Sequence, residues 1–346
     1  MFQIRDSHPA QFHRTDKVKD PLYVITPIFN SPRFRRRWTL YKYFERYVLD
    51  TQEANLVTIE CTFGSREKVF TEAVSPRHTI LHVQTTNEIW IKENLINLAI
   101  QHLPEDWKYV CWCDSDITFA RPDWVGEIIQ QLQHYKVVQC FSASQDLDSG
   151  YHPTNIQHSF LYTYHNNFDL VGSNKIDFEL DTSDNYYSVN KGKYVLHPGY
   201  VWAMTREAFN GVGGLMDFGI CGAGDRHMAY ALIGKASLSI PEGVGEEYKN
   251  MVLEWEKNAE KHIQRNIGYV DGVILHNYHG DKLHRKYHNR WKILTENKFN
   301  PLTDLKRDWQ GLYQLTGNKI QLRDGLMKYF HERQEDQLSY DQDKRL

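Results

Sequence analysis

No run of apolar residues in this chain approaches the ~18 that would carry a helix across a bilayer, and the N-terminus is polar, with no leader pattern. No Asn-x-Ser/Thr acceptor for N-glycans occurs. Cysteine is scarce and odd in number: Cys61, Cys111, Cys113, Cys140 and Cys221, mostly in apolar surroundings. That argues against a disulfide framework and for reduced, partly buried thiols. Cys111 and Cys113 are expected to face opposite sides of a strand, and so not to chelate one metal together. The net charge is only −3, so no global field draws the chain onto nucleic acid or an anionic membrane. Internal repeats and low-complexity tracts are also lacking. These absences lead to the expectation of a cytosolic chain with no membrane partner and no obligate protein partner.

What is present is ample for a core: 346 residues, 41% of them hydrophobic. A prior of ~100–200 residues per domain allows two domains, or one large α/β domain with additions. Aromatics reach 13%, including 21 Tyr and 9 Trp, which suits a site that grips rings by stacking, although core filling is the commoner use. Basic residues are clustered in Arg33, Arg35, Arg36 and Arg37, and again from Lys282 to Lys292. Such runs are usually solvated faces and matter only if they sit beside phosphates.

The apolar pattern predicts strands at Leu22–Ile25, Leu56–Cys61, Thr79–Val83 and Tyr109–Cys113. Helical spacing is predicted over residues 34–49, Ile89–Leu103 and Val125–Tyr135. Strand–helix alternation is the mark of an open, largely parallel sheet, whose ligands lie beyond the carboxyl ends of its strands. Residues 1–20 are read as a polar arm. Residues 142–196 lose periodicity and become rich in Ser, Asn, Asp and Tyr, as functional insertions often do. Val195–Met204 reads as strand and Met228–Ile233 as helix, and from about 285 the chain reads as helical to a polar tail. The expected division is therefore an arm at 1–20, a main domain at 21–285 holding an insertion at 142–196, and a helical extension at 286–346.

Asp114-Ser115-Asp116 follows the strand run Tyr-Val-Cys-Trp-Cys directly. Paired carboxylates there can hold a divalent cation on a diphosphate, whose developing charge on departure the cation neutralises. Alone the tripeptide is weak, since surface loops carry it by chance. In Leu275-His276-Asn277-Tyr278-His279-Gly280-Asp281 an imidazole can complete an oxygen-rich shell for Mn²⁺. Either His276 or His279 could serve, with His279 favoured, although any one of 17 histidines is more often structural. In the glycine-rich stretch Gly213–Asp225, Asp225 could take a proton from an attacking hydroxyl. It could equally be the N-cap of the helix that follows.

Taken in order, Thr26-Pro27-Ile28-Phe29-Asn30, Trp112–Asp116, His197–Met204, Gly213–Asp225 and His279-Gly280 resemble GT-A glycosyltransferases. Their order also resembles that of metal-dependent galactosyl- and N-acetylgalactosaminyltransferases, over about residues 21–285. Trp90-x-Lys92-Glu93-Asn94-Leu95-Ile96-Asn97 and Tyr329-Phe330-x-x-Arg333-x-Glu335-Asp336 also resemble GT-A-like proteins of large DNA phages. The resemblance implies a Rossmann-like, mostly parallel central sheet flanked by helices, with Mn²⁺ or Mg²⁺ as cofactor. It further implies a nucleotide-sugar donor, a UDP-sugar foremost. Pro27 and Asn30 would lie at the nucleoside and Glu60 at ribose or base. Lys92 and Asn97 would face the donor, and Trp202 would floor the sugar or acceptor site. Asp114 would reach ribose or metal-bound water, Asp116 would bind the metal with His279 as late ligand, and Asp225 would be the base of an inverting transfer. Such members often carry Glu-Asp where this chain has Gly224-Asp225, which leaves the base role the least anchored.

A phage origin would put the protein in the host cytoplasm and make hydroxymethylated DNA an acceptor, with the basic knots on its phosphates. A glycan or protein acceptor, and a sugar-binding module whose chemistry has lapsed, are the competing readings. A nucleotidyltransferase is disfavoured because Thr26–Asn30, after the first strand, contains no glycine.

Overall fold

The computed structural model describes residues 20–50, 54–166, 196–287 and 289–338. The polar arm, most of the second half of the 142–196 insertion and the end of the tail lie outside them.

The N-terminal half alternates as its pattern predicts: β1 (Leu22–Phe29), α1 (Arg35–Asp50), β2 (Ala54–Phe63), β3 (His78–Thr85), α2 (Lys92–Ile100) and β4 (Tyr109–Cys113). These four strands run parallel in the order β4-β1-β2-β3. Leu22, Val24 and Ile25 of β1 are fully buried, as expected of a strand covered on both faces.

The chain continues through β5 (Ile117–Phe119), α3 (Trp124–Gln131), β6 (Val137–Gln139), β7 (Ala143–Leu147), β8 (Pro153–Ser159) and α4 (Phe160–Asn166). Then come β9 (Leu196–His197), β10 (Val201–Thr205), α5 (Arg206–Val212), α6 (Gly224–Leu232) and α7 (Glu246–His262). β10 lies antiparallel between β4 and β6, and β11 (Ile267–Tyr269) closes that edge parallel to β6. The result is a seven-stranded, mostly parallel α/β sheet.

One residue's offset along a strand decides which core a side chain joins. Trp112 and its β10 partner Trp202 enter the core on one face, while Cys111 and Cys113 enter the other. The expectation that the two cysteines face opposite ways is thus overturned: residues two apart on a strand share a face. All five cysteines are free and buried. Burial raises the Cys61, Cys113, Cys140 and Cys221 thiols, which suits inert packing.

A second sheet, ordered β5-β12-β7-β8-β9, includes β12 (Val273–His276) and is built largely from the first part of the insertion. The C-terminal region is not purely helical. Between α8 (Arg290–Glu296), α9 (Pro301–Asp304) and α10 (Ile320–His331) stands a hairpin of β13 (Leu305–Arg307) and β14 (Tyr313–Leu315). Among the described residues no helix is long and apolar enough to cross a membrane.

Candidate active site

β4 ends at Cys113, so Asp114 and Asp116 emerge at the carboxyl end of a central parallel strand, where open α/β sheets hold their ligands. The second sheet then supplies partners by register alone. Ile117 of β5 pairs with His276 of β12, and His276 pairs in turn with Asp146 of β7. The Asn277 backbone N–H donates to the Asp116 carbonyl at 2.7 Å, which locks the turn after β12 against the carboxylate loop.

Asp116, His276 and His279 offer ligand atoms that all lie within 4.8 Å of one another. His279 Nε2 is 2.8 Å from Asp116 Oδ2, and His276 Nε2 is 4.0 Å from Asp116 Oδ1. That Oδ1 is buried and has no hydrogen-bond partner among the described residues. His276 Nδ1 is 2.8 Å from Asp146 Oδ1, and His279 Nδ1 is 3.5 Å from Glu335 Oε2. With the Nδ1 hydrogen of His276 assigned to Asp146, its Nε2 lone pair faces Asp116, while His279 Nε2 stands 2.8 Å from both Asp116 Oδ2 and Arg285 Nη2. Carboxylate-backed imidazoles around an orphaned carboxylate oxygen fit a divalent cation. Burial pushes His276 down to about 4, which keeps it neutral and able to ligate at neutral pH. Burial pushes Asp116 up, but His279 and Arg37 outweigh it and hold the carboxyl well below its usual range.

Asp114 is not one of the three. Its Oδ1 pairs with the Lys92 ammonium at the start of α2, and its backbone N–H donates to the Tyr200 carbonyl at 3.0 Å. Both carboxylates nevertheless open on one cleft. Asp225 lines the same cleft from the first turn of α6. The helix begins after Ala223, a non-glycine residue at φ 78° with no side-chain cap bond, and among the described residues Asp225 Oδ1 accepts only from the adjacent Arg226 N–H, at 2.8 Å. The capping geometry that competes with the base role is therefore not formed. Pro27 and Phe29 of β1 and the indole of Trp90 complete the near wall.

The far wall is cationic and comes from the C-terminal region. Arg37 and Arg333 both bind Glu335. The Arg35 and Arg36 backbone N–H groups donate to Asp336, at 3.0 and 2.8 Å, so the acidic residue after Glu335 caps α1 and fixes the wall. Arg285 Nη2 is 2.8 Å from His279 Nε2. Glu335 is held well below its usual range: burial opposes this, but Arg37 and Arg333 prevail.

Other residues expected at the site lie apart from the cleft. Asn30 is folded onto its own loop, its amide donating to the Phe34 carbonyl at 2.8 Å, and it lines a separate groove with Glu60. Glu60 accepts backbone N–H bonds from Val69 and Phe70, at 2.9 and 3.1 Å. Asn97 binds both the Leu215 backbone and Asp217, and so pins the glycine-rich loop. Trp202 is buried, donates to the Pro198 carbonyl at 2.8 Å, and lines a small pocket behind Asp225 with Lys92 and Glu93. Asp146, Glu335, Arg285 and Glu93 were not singled out as site residues. Glu93 and Glu335 do fall within the two stretches of phage-like resemblance, which was the signal that pointed to them.

No protein-family model matches the chain, and no curated protein does. Among solved structures, it aligns with the catalytic domain of Drosophila β1,4-galactosyltransferase 7 in complex with xylobiose at TM-score 0.29 and 12% identity. That alignment covers 63% of this chain and 62% of the other, so the chain spans somewhat less than two thirds of it. Glucosyl-3-phosphoglycerate synthase from Mycobacterium tuberculosis, with Mn²⁺, UDP-glucose and phosphoglyceric acid, aligns at TM-score 0.35 and 10% identity over 88% of this chain and 92% of the other. Likeness at these scores carries no argument about chemistry, which rests on the side chains of the cleft.

Proposed function

We propose that this chain is a metal-dependent glycosyltransferase of the GT-A type, moving a sugar from a nucleoside-diphosphate sugar, a UDP-sugar foremost, to a hydroxyl acceptor. The observation that carries the reading is the orphaned Asp116 Oδ1 facing two histidines, each backed by a carboxylate, at the mouth of a cleft that also holds Asp225. Asp116, His276 and His279 would hold the cation, Mn²⁺ or Mg²⁺. When bound, the cation neutralises charge on the departing diphosphate.

The remaining roles belong to the chain's own groups. Arg285, against His279, adds a fixed positive charge at the diphosphate end. Lys92 holds Asp114 in the cleft, where its remaining oxygen can accept from a donor hydroxyl. Pro27 and Phe29 offer an apolar face to the nucleoside. Asp225 takes the proton of the acceptor hydroxyl as that oxygen attacks the anomeric carbon from the face opposite the diphosphate, whose bond to that carbon breaks, so the single displacement inverts.

Hydroxymethylated DNA gains no separate support as acceptor. Of the basic knots, Arg37 is bound to Glu335, Lys282 to Asp146 and Lys286 to Glu332. These groups are engaged within the protein and do not form an open row for phosphates.

The test is a donor-hydrolysis screen over nucleotide-sugars with Mn²⁺ and with EDTA. Metal-dependent release of nucleoside diphosphate from at least one donor is expected. Metal-dependent binding of donor without release, in the presence of any hydroxyl acceptor tried, would point instead to a sugar-binding module.

A further inference from the structure

Cations in the cleft outnumber the carboxylates that face them. Arg37 and Arg333 share Glu335, and Lys92 has Asp114. Arg290 has no such partner. It is 8% exposed, lines the cleft, and has no carboxylate of the described residues within 4 Å. Its contacts are with tyrosines: Tyr329 Oη, which also accepts from Arg333 Nη1 at 3.2 Å, lies 3.5 Å from Nη1, and the Tyr287 ring centre 5.2 Å from Cζ. Its Nε is buried with no hydrogen-bond partner among the described residues. A desolvated guanidinium without counter-charge is strongly unfavourable unless an anion completes it. Its planar fork matches phosphate or carboxylate in a bidentate way.

Arg285 and Arg290 both meet Tyr287, Arg285 through Nη1 to its hydroxyl at 3.2 Å and Arg290 over its ring. Arg285, also buried and with Nε lacking a hydrogen-bond partner among the described residues, sits on His279 beside the metal ligands. Arg290 instead crosses over Gly222, where a β-carbon would stand 3.0 Å from Nη1 and 3.4 Å from the Trp90 ring. Gly222 shortly precedes Gly224-Asp225 at the start of α6, so Arg290 meets the loop that leads into the helix bearing Asp225.

We infer that Arg290 binds an oxyanion carried by the acceptor, a phosphate or a carboxylate, so that the acceptor class is an acidic hydroxyl compound rather than a neutral sugar. This rests on the glycosyltransferase reading of the cleft for the placement of the acceptor, but not for the anion site itself. Trp90, Tyr287 and Trp291 supply flat apolar surface beside the guanidinium, as suits a ring or carbon chain bearing the anion.

The experiment saturates the protein with Mn²⁺ and UDP, then titrates inorganic phosphate, glucuronate and, as neutral control, glucose by calorimetry. Phosphate or glucuronate is expected to bind with UDP in place, and Arg290→Gln to weaken that binding at least tenfold while UDP affinity stays within twofold. Thermal melting of unliganded Arg290→Gln is expected to be unchanged or higher, because an uncompensated buried charge is removed; a purely structural arginine would move it down. Failure of both anions to bind with UDP in place overturns the inference, as does a loss of UDP affinity in Arg290→Gln equal to the loss for phosphate. A parallel arm compares UDP-glucuronate with UDP-glucose: a preference for the acidic donor that vanishes in Arg290→Gln puts the anion on the donor and overturns the acceptor assignment. If UDP with Mn²⁺ does not bind the wild type, the glycosyltransferase reading fails. The anion site then stands or falls on phosphate binding to wild type against Arg290→Gln.

Discussion

The carboxyl group of Glu93 lies against the bare Cα of Gly224, where a β-carbon would stand 2.7 Å from Glu93 Cδ and Oε1. Two elements far apart in sequence thus meet at the entrance to the helix that carries Asp225. Trp90 Nε1 donates to Glu93 Oε2 at 3.0 Å and holds the carboxyl there. Glycine at position 224 leaves room for a carboxyl delivered from the first turn of α2.

Gly224→Ala should therefore be poorly tolerated. The added methyl group meets a buried side chain at well under contact distance, and overpacking of that kind costs about 1–3 kcal/mol. Denaturant unfolding should place Gly224→Ala in that range below wild type, and the double variant Gly224→Ala/Glu93→Ala should recover part of the loss through coupling of neighbours. Strict additivity of the two changes would mean that the carboxyl does not occupy this space.

Glu93 should also make stability depend on pH. Burial, aided by the charge of Asp225 and opposed by Lys92, pushes its carboxyl up to about 7, against roughly 4.3 for an unfolded chain. Between those values the folded state binds more protons than the unfolded one, so stability from this group falls as pH rises. Glu93→Gln should match wild type below about pH 4 and become the more stable protein by on the order of 3 kcal/mol above about pH 8. Urea unfolding of both proteins at pH 5, 7 and 8.5 measures the difference. A gap that stays constant with pH would show that Glu93 titrates as an ordinary surface carboxyl does.

Much of this architecture was legible because apolar period and strand-end position are local signals. The strands at Leu22, Leu56 and Tyr109 and the helix before Asp50 follow from them directly. The helix Glu246–His262 was equally within reach, since Tyr248, Val252, Trp255 and Ala259 are buried at helical spacing. Asp114, Asp116, His279 and Asp225 do converge on one cleft. What could not be read is long-range register. That His276 stands beside Asp116 depends on a pairing of β12 with the three-residue β5, and a strand that short carries too little pattern to predict its partner. Asn30, Glu60 and Asn97 are polar residues near strand ends or on an apolar helix, and nothing local distinguishes a side chain turned to a ligand from one turned to a neighbouring backbone.

Removal of the metal ligands should separate the two aspartates. Asp116→Ala should abolish Mn²⁺-dependent UDP binding. His276→Ala and His279→Ala should each weaken it, and Asp146→Asn, which alters the carboxylate that backs His276 and pairs with Lys282, should cost about 10–100-fold in metal affinity. Asp114→Ala should retain most Mn²⁺ affinity, because its carboxylate is engaged with Lys92 and not with the histidine pair. Titration of Mn²⁺ followed by electron paramagnetic resonance reads all five proteins. An Asp114→Ala defect as deep as that of Asp116→Ala would place both carboxylates on the ion.

Asp225 should act on turnover rather than on donor binding, because a base works mainly in the transition state. Asp225→Asn keeps the shape of the side chain and its bond to the Arg226 N–H partner while removing basicity. It should lower kcat by roughly a hundredfold or more with UDP affinity nearly intact. Gly199→Ala offers an independent route to the same group, since a β-carbon there would stand 2.5 Å from Asp225 Oδ2 and 3.1 Å from the His197 ring. Displacing the carboxylate without removing it should reduce kcat by less than Asp225→Asn, and combining the two changes should add little to the loss in Asp225→Asn alone. Unchanged turnover in Asp225→Asn, with a lower melting temperature, would assign the carboxylate to the start of α6 and leave the acceptor proton to another group in the cleft.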